Sequence, residues 1–88
     1  MCDIYLERHD PSNNLHRFYA LTVSPGIFSD WALVREWGRV GSPGTVRSHS
    51  YHSKEEAIDE KNKVFLKKQK KGYSIKFMLD LDDEAVGA

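Results

Sequence analysis

The sequence lacks several features that would assign it to a specialised class of protein. Its single cysteine, Cys2, excludes an internal disulfide and a cysteine-based zinc site, and it favours a reducing compartment. No apolar run approaches the roughly 18 residues needed to span a membrane, and the N-terminus has no positively charged segment leading a hydrophobic one. These absences predict a cytoplasmic protein with no role at a membrane.

Net charge is also absent, because 13 basic residues balance 13 acidic ones over the 88 residues. A domain that coats duplex nucleic acid is usually strongly basic, so the total charge gives no support to that function. Four of the acidic residues are concentrated within residues 80–84, and without them 13 basic residues face 9 acidic ones, a net charge of +4. We interpret residues 1–79 as one domain and residues 80–88 as an acidic, flexible tail.

The residue combinations that usually mark an active site are missing as well. The chain has no nucleophile elbow, no phosphate-cradling glycine loop and no carboxylate pair in a setting that raises a pKa. None of the four histidines has a partner at the i, i+4 spacing of a helical zinc motif. We therefore expect a protein that is not an enzyme and that holds no metal and no cofactor.

The pattern that is present predicts a small α+β fold. Alternating or β-branched segments over residues 2–8, 15–23, 31–40 and 45–51 indicate strands, and clusters of Gly, Pro, Asn and Ser separate them. A capping box that starts at Ser53 predicts a helix from Lys54 to about Lys71, with Gly72 as its end. Its apolar stripe comprises Ala57, Ile58, Val64, Phe65 and Leu66, with an interruption at Lys61 and Asn62. Residues 73–79 form a fifth strand or an extended arm. We expect an antiparallel sheet of four to five strands with one helix packed across one face.

The stretch from Arg35 to Gly41 is the most informative part of the chain. On an extended strand Arg35, Trp37 and Arg39 share one face, because side chains alternate between the two faces. An indole offers a stacking surface and a guanidinium binds phosphate with two donors, which suits a sugar-phosphate terminus. Gly38 leaves room for the close approach of a ligand or of another backbone. Packing of the indole in the core is the alternative.

The parity of this strand raises a difficulty. Trp31 and Leu33 share the face of Trp37, and both are candidates for the core. A twist or bulge near Glu36 would be needed to place these two inside and Trp37 outside.

The same stretch resembles a known family. Trp-Gly-Arg followed by Val-Gly, the glycine at position 44, the Ser-Lys-Glu-Glu-Ala helix start at Ser53 and the Gly-Tyr at positions 72 and 73 resemble the WGR domain. This module occurs in DNA-dependent poly(ADP-ribose) polymerases and in short bacterial proteins. The resemblance covers roughly residues 2–78 and implies a stand-alone, non-catalytic module of the bacterial type.

The resemblance also implies roles for individual residues. Trp37 would pack against the sugar of a terminal nucleotide, and Arg39 would contact the nucleic acid. Family members often have an asparagine and a lysine where this chain has His16 and Arg17, so a titrating imidazole replaces a neutral amide there. The predicted nucleic-acid-binding residues are Trp37, Gly38, Arg39, Arg35, Arg47, Arg17 and His16.

Two functions from different classes follow. The first is recognition of nucleic-acid ends or breaks by stacking and phosphate contacts, with little sequence specificity and with DNA favoured over RNA. The second is a protein–protein interaction module that acts in trans on a partner enzyme, an alternative that the electroneutral sequence favours. Arg35 and Arg47 have a competing interpretation as solvated strand residues or as partners of Glu36 and Glu7, and Tyr73 is interpreted as a hydrophobic clasp between helix and sheet. A domain that keeps the fold without a ligand site is the third option.

Overall fold

Five strands and one long helix make up the structure, a computed structural model that describes residues 2–79. The elements are β1 (Ile4–Asp10), β2 (Leu15–Pro25), β3 (Trp31–Arg39), β4 (Thr45–Tyr51), α1 (Lys54–Lys70) and β5 (Ser74–Met78). The strands form one sheet in the order β4-β3-β2-β1-β5, and every neighbouring pair is antiparallel. The predicted α+β fold is confirmed, and the last segment is a fifth strand. The predicted acidic tail, residues 80–88, lies outside the described residues.

The turn between β1 and β2 starts two residues later than the sequence indicated. His9 and Asp10 remain in β1 and pair with His16 and Leu15 of β2. A single 3-10 turn then covers Pro11–Asn13, and Asn14 closes it in the left-handed conformation with φ of 51°. The turn thus extends the β1–β2 ladder to the end of the sheet where Arg17 lies.

The helix begins at the predicted N-cap, Ser53, and ends at the predicted glycine, Gly72. The Ser53 hydroxyl accepts a hydrogen bond from the Glu56 amide at 3.1 Å, and the Glu56 carboxylate accepts one from the same hydroxyl at 3.4 Å. At the other end, Tyr73 N–H donates to the Lys68 carbonyl and Gly72 N–H donates to the Gln69 carbonyl, each at 3.0 Å. These two bonds form a Schellman motif, in which Gly72 has a φ of +100°.

One side of the sheet packs against α1 and contains the core. Its central members come from β1, β2, β3 and α1, and they are Ile4, Leu6, Tyr19, Leu21, Leu33 and Val64. The helix contributes Ala57, Lys61 and Val64 as its buried residues, whereas Leu66 is 55% exposed. The stripe prediction was therefore wrong at two positions, because 3.6 residues per turn place position 61, and not 66, on the line of 57 and 64.

The two sides of the sheet differ in what covers them. The helix face is the side against α1, and it carries Leu33, Arg35, Trp37 and Arg39 of β3. The open face is the opposite side. Strand β3 pairs with β2 in unbroken register from Trp31 to Arg39, so there is no bulge near Glu36. The helix face contains both core residues and candidate site residues, because Leu33 is buried beneath the helix while Arg39, six residues along, is exposed.

Within residues 2–79, no helix has the length and apolar character needed to cross a membrane.

Candidate nucleic-acid interface

An aromatic stack lies at the centre of the candidate site. Trp37 and Tyr19 are directly opposite each other on β3 and β2, and their rings stack at 5.7 Å between centroids with 11° between planes. Tyr19 is 5% exposed, whereas Trp37 is only half-buried. The core therefore ends at the tyrosine, and the indole forms its border with solvent.

The helix end closes over this stack. Tyr73, the residue after the Schellman turn, is half-buried and meets Tyr19 edge-on at 6.2 Å, as the clasp interpretation predicted. The Lys68 ammonium lies 4.4 Å from the centroid of the Tyr19 ring and 5.7 Å from that of Tyr73. Burial, together with the charges of Lys71 and Arg35, lowers the pKa of Lys68.

A row of arginines crosses the helix face on one side of the stack. Arg8, Arg17 and Arg39 are direct cross-strand neighbours on β1, β2 and β3. Arg17 and Arg39 are exposed, and the Arg8 side chain lies against the turn at Gly72. Three guanidinium groups from distant parts of the chain therefore share one end of the sheet. We call them the arginine row.

A second pair of cations lies on the other side of the stack. Arg35 and Arg47 face each other across β3 and β4, two positions along from Trp37 and Thr45. The Arg35 Nη2 atom is 3.5 Å from His49 Nδ1, and its buried Nε has no hydrogen-bond partner among residues 2–79. Residues at i and i+2 of a strand are about 6.6 Å apart, so the indole is bordered by cations along the strand in both directions.

The two faces of the sheet carry opposite charges. The glutamates of the central strands, Glu7 and Glu36, have the parity of the open face, while the arginines of these strands have the parity of the helix face. Within residues 2–79, no arginine or lysine lies within ion-pair distance of a carboxylate, so the competing pairing of Arg35 and Arg47 with glutamates is not found. The one such contact joins His9 to Glu7 at 2.9 Å and is an ion pair only with a protonated imidazole. The zero net charge conceals a cationic surface.

Gly38 has the parity of the open face, so a side chain at this position would point away from the helix. A Cβ added there would lie 3.1 Å from the Gly44 Cα and 3.4 Å from Phe18 Cε1. At Gly44 a Cβ would lie 2.6 Å from the Trp37 carbonyl oxygen and 2.8 Å from Phe18 Cζ. The groups that approach Gly38 closely are therefore another backbone and a buried ring. Gly38 affects the position of Trp37 only indirectly, through this packing.

His16 is the predicted site residue that the structure separates from Trp37. It lies on the open face and its Nδ1 is 2.7 Å from Nδ1 of His9, which in turn bonds Glu7. At the end of the sheet it borders a concavity of about 290 Å³ together with Arg17 and Arg39. Its imidazole is thus at the rim of the arginine row and not beside the indole. Within the described part of the chain, no group of three or more His, Cys, Asp or Glu side chains could hold a metal ion.

Sequence reasoning missed three members of this surface. Arg8 gave no signal, because its place beside Arg17 depends on the β1–β2 register. Tyr19 and Lys68 were not among the residues predicted to bind nucleic acid. The alternation of Arg17 with Tyr19 repeats that of Arg39 with Trp37, and this parallel could have revealed the stack.

A family model and a curated relative match the chain. The model of the WGR domain matches residues 2–77. A relative from Sinorhizobium fredii (strain NBRC 101917 / NGR234), the uncharacterized protein y4dW, is 39% identical over 70 residues, which are 80% of this chain and 34% of that protein. The chain thus spans about a third of the length of that relative. No solved structure matches the chain.

Proposed function

Because the chain belongs to the WGR domain family, whose members are non-catalytic nucleic-acid-binding modules, we propose that it binds nucleic-acid ends or breaks through the helix face at Trp37 and Arg39. The indole would cover an exposed sugar or base at the terminus. The arginines on either side would hold the adjacent phosphates, with DNA favoured over RNA. Since these contacts reach no base edge, binding would have little sequence specificity.

The observation that supports the proposal most is that Trp37, at the edge of the core, is only partly buried. Trp37 has one side against Tyr19 and is only half-buried, while Arg39 is exposed and no carboxylate among residues 2–79 forms an ion pair with it. A tryptophan that served only the core would be covered, and an arginine that served only the fold would be paired. The apolar underside of the ring holds it in place for a ligand.

Fluorescence anisotropy with blunt, nicked and single-stranded DNA tests this function. Stacking on an aromatic side chain is worth about 1–3 kcal/mol per base, so Trp37→Ala should weaken binding by roughly 5- to 150-fold. Arg39→Ala should weaken it for all sequences alike. Lys63→Ala, which removes an exposed helix cation, is the control and should bind as the unaltered protein does.

The salt dependence gives a second measurement. With about three phosphates neutralised, log K should fall with log salt at a slope of about 2–3. A tight complex that salt does not weaken would contradict the mechanism, as would full-strength binding by folded Trp37→Ala. Failure of all three DNA forms to bind at low salt would favour the protein-interaction alternative.

A further inference from the structure

The open face carries a row of side chains that the nucleic-acid site does not use. One residue from each strand contributes, and in sheet order they are Val46, Glu36, Ala20, Tyr5 and Phe77. Val46 is 55% exposed and Phe77 is 39% exposed, so both ends of the row reach solvent. The row is apolar apart from Glu36, and α1 packs on the other side of the sheet.

A concavity of about 420 Å³ lies in the middle of this row. It exists because the small Ala20 lies between larger neighbours, with Tyr5 and Phe18 stacked at 5.9 Å on one side and Val34 and Glu36 on the other. The β3–β4 turn closes it through Ser42. Its volume is at the low end of the about 300–1,000 Å³ of small-molecule pockets, and it is also large enough for one or two side chains of a partner.

The charge at the concavity is negative. Its lining includes Glu36 and no lysine or arginine, and Glu36 has no ion-pair partner within the described residues. Burial raises the pKa of Tyr5, and Glu7 and Glu36 raise it further; burial also raises that of Cys2, with a smaller contribution from Glu36. Lys76 acts on Glu7, but β5 is three strand spacings, about 14 Å, from Glu36 on β3.

We propose that the open face is a second binding surface, which takes a protein segment with a lysine or arginine next to an apolar side chain. The apolar side chain would fill the hollow over Ala20, and the cation would pair with Glu36. Nucleic acid does not fit there, because its phosphates would meet an unpaired carboxylate. The module would then hold nucleic acid on its helix face and a protein on its open face, and neither site requires the other.

An NMR titration of the full 88-residue chain with two short peptides tests this. The peptides are acetyl-Leu-Arg-Phe-amide and its counterpart with Glu in place of Arg. The basic peptide should shift the amide signals of Ala20, Val34 and Ser42, and the acidic one should leave them unmoved. Glu36→Gln should weaken the basic peptide about fivefold, whereas Glu55→Gln on the exposed helix surface should not change it.

Several outcomes would overturn the proposal. These are equal shifts with both peptides, shifts confined to the helix face, and no shifts at millimolar peptide. Self-association of the chain that broadens the same signals without peptide would assign the face to a second copy instead. Val34→Arg, which places a cation in the hollow, should abolish the shifts while an unchanged spectrum elsewhere shows that the fold persists. DNA binding by that variant should be unaltered, so this test and the test of the nucleic-acid site fail separately.

Discussion

At the scale of single residues, two glycines that follow Trp37 are needed for different reasons. Gly44 lies where a methyl group would overlap the Trp37 carbonyl and the Phe18 ring, while Gly41 has open space around it and a φ of +87°. The first position is constrained by neighbours and the second by the backbone alone. Glycine is therefore required at these two positions for different physical reasons.

Substitution of these glycines should separate the two causes. Gly41→Ala meets only the left-handed backbone penalty of about 1–2 kcal/mol. Gly44→Ala forces the turn away from β3 and should cost more, about 2–3 kcal/mol, as overpacking does. Urea denaturation of both variants measures the difference, and an equal loss of unfolding free energy would refute the packing explanation.

Glu7 gives a residue-scale prediction of pH dependence. The hydrogen bond from His9, followed by that from Tyr5 at 3.0 Å, lowers the pKa of Glu7. A carboxyl whose pKa is lowered in the folded state stabilises that state above its unfolded pKa, near 4.3, and this contribution is lost as the pH falls through the folded value.

The melting temperature should therefore fall between about pH 5 and pH 3, and Glu7→Gln should make that fall shallower. Asp59→Asn, at an exposed helix position, serves as the control and should leave the profile as it is. Parallel profiles for the unaltered protein and Glu7→Gln would show that the hydrogen bonds to Glu7 contribute nothing.

At the scale of elements, α1 has capped ends and an imperfect apolar stripe. The buried residues of this helix are Ala57, Lys61 and Val64, and Lys61 is only 3% exposed. Because the helix has so small an apolar surface, the capping interactions at its ends contribute much of its stability. Its C-terminus matters doubly, because the Schellman turn places Tyr73 and Lys68 over Tyr19.

Loss of the N-terminal cap should be measurable in stability alone. Ser53→Ala removes the acceptor for the Glu56 amide and should cost about 1 kcal/mol. Ser53→Asp keeps an acceptor and should retain most of the stability. Thermal unfolding followed by circular dichroism gives both values. A change in DNA affinity for folded Ser53→Ala would be unexpected, since this cap lies at the opposite end of α1 from Lys68.

At the scale of the whole molecule, the sheet sorts charge between its two sides. Arg8, Arg17 and Arg39 are separated along the chain and become one row through the β1–β2 and β2–β3 registers. Glu7 and Glu36 have the other parity and so lie on the open face. An electroneutral chain thereby acquires one cationic surface, which composition alone could not show.

The arginine row makes a prediction that the sequence did not. Arg8→Ala should weaken DNA binding uniformly across sequences and reduce the salt slope by about 0.9, as expected for one lost phosphate contact. Arg17→Ala should behave in the same way. If Arg8 instead serves only the helix end against Gly72, its loss would reduce stability and leave the salt slope unchanged.

The sequence by itself determined the first four strands, the helix and their order, since alternation, turn residues and the cap at Ser53 are local signals. It also determined that Arg35, Trp37 and Arg39 share a face, because strand parity is a property of the backbone. Only the tertiary structure decided how far the helix covers that face, which partner Trp37 stacks on, and that Arg8 lies beside Arg17 on the helix face while His16 lies on the open face. These outcomes depend on strand register and on where α1 ends, and both are set by packing between residues far apart in the chain.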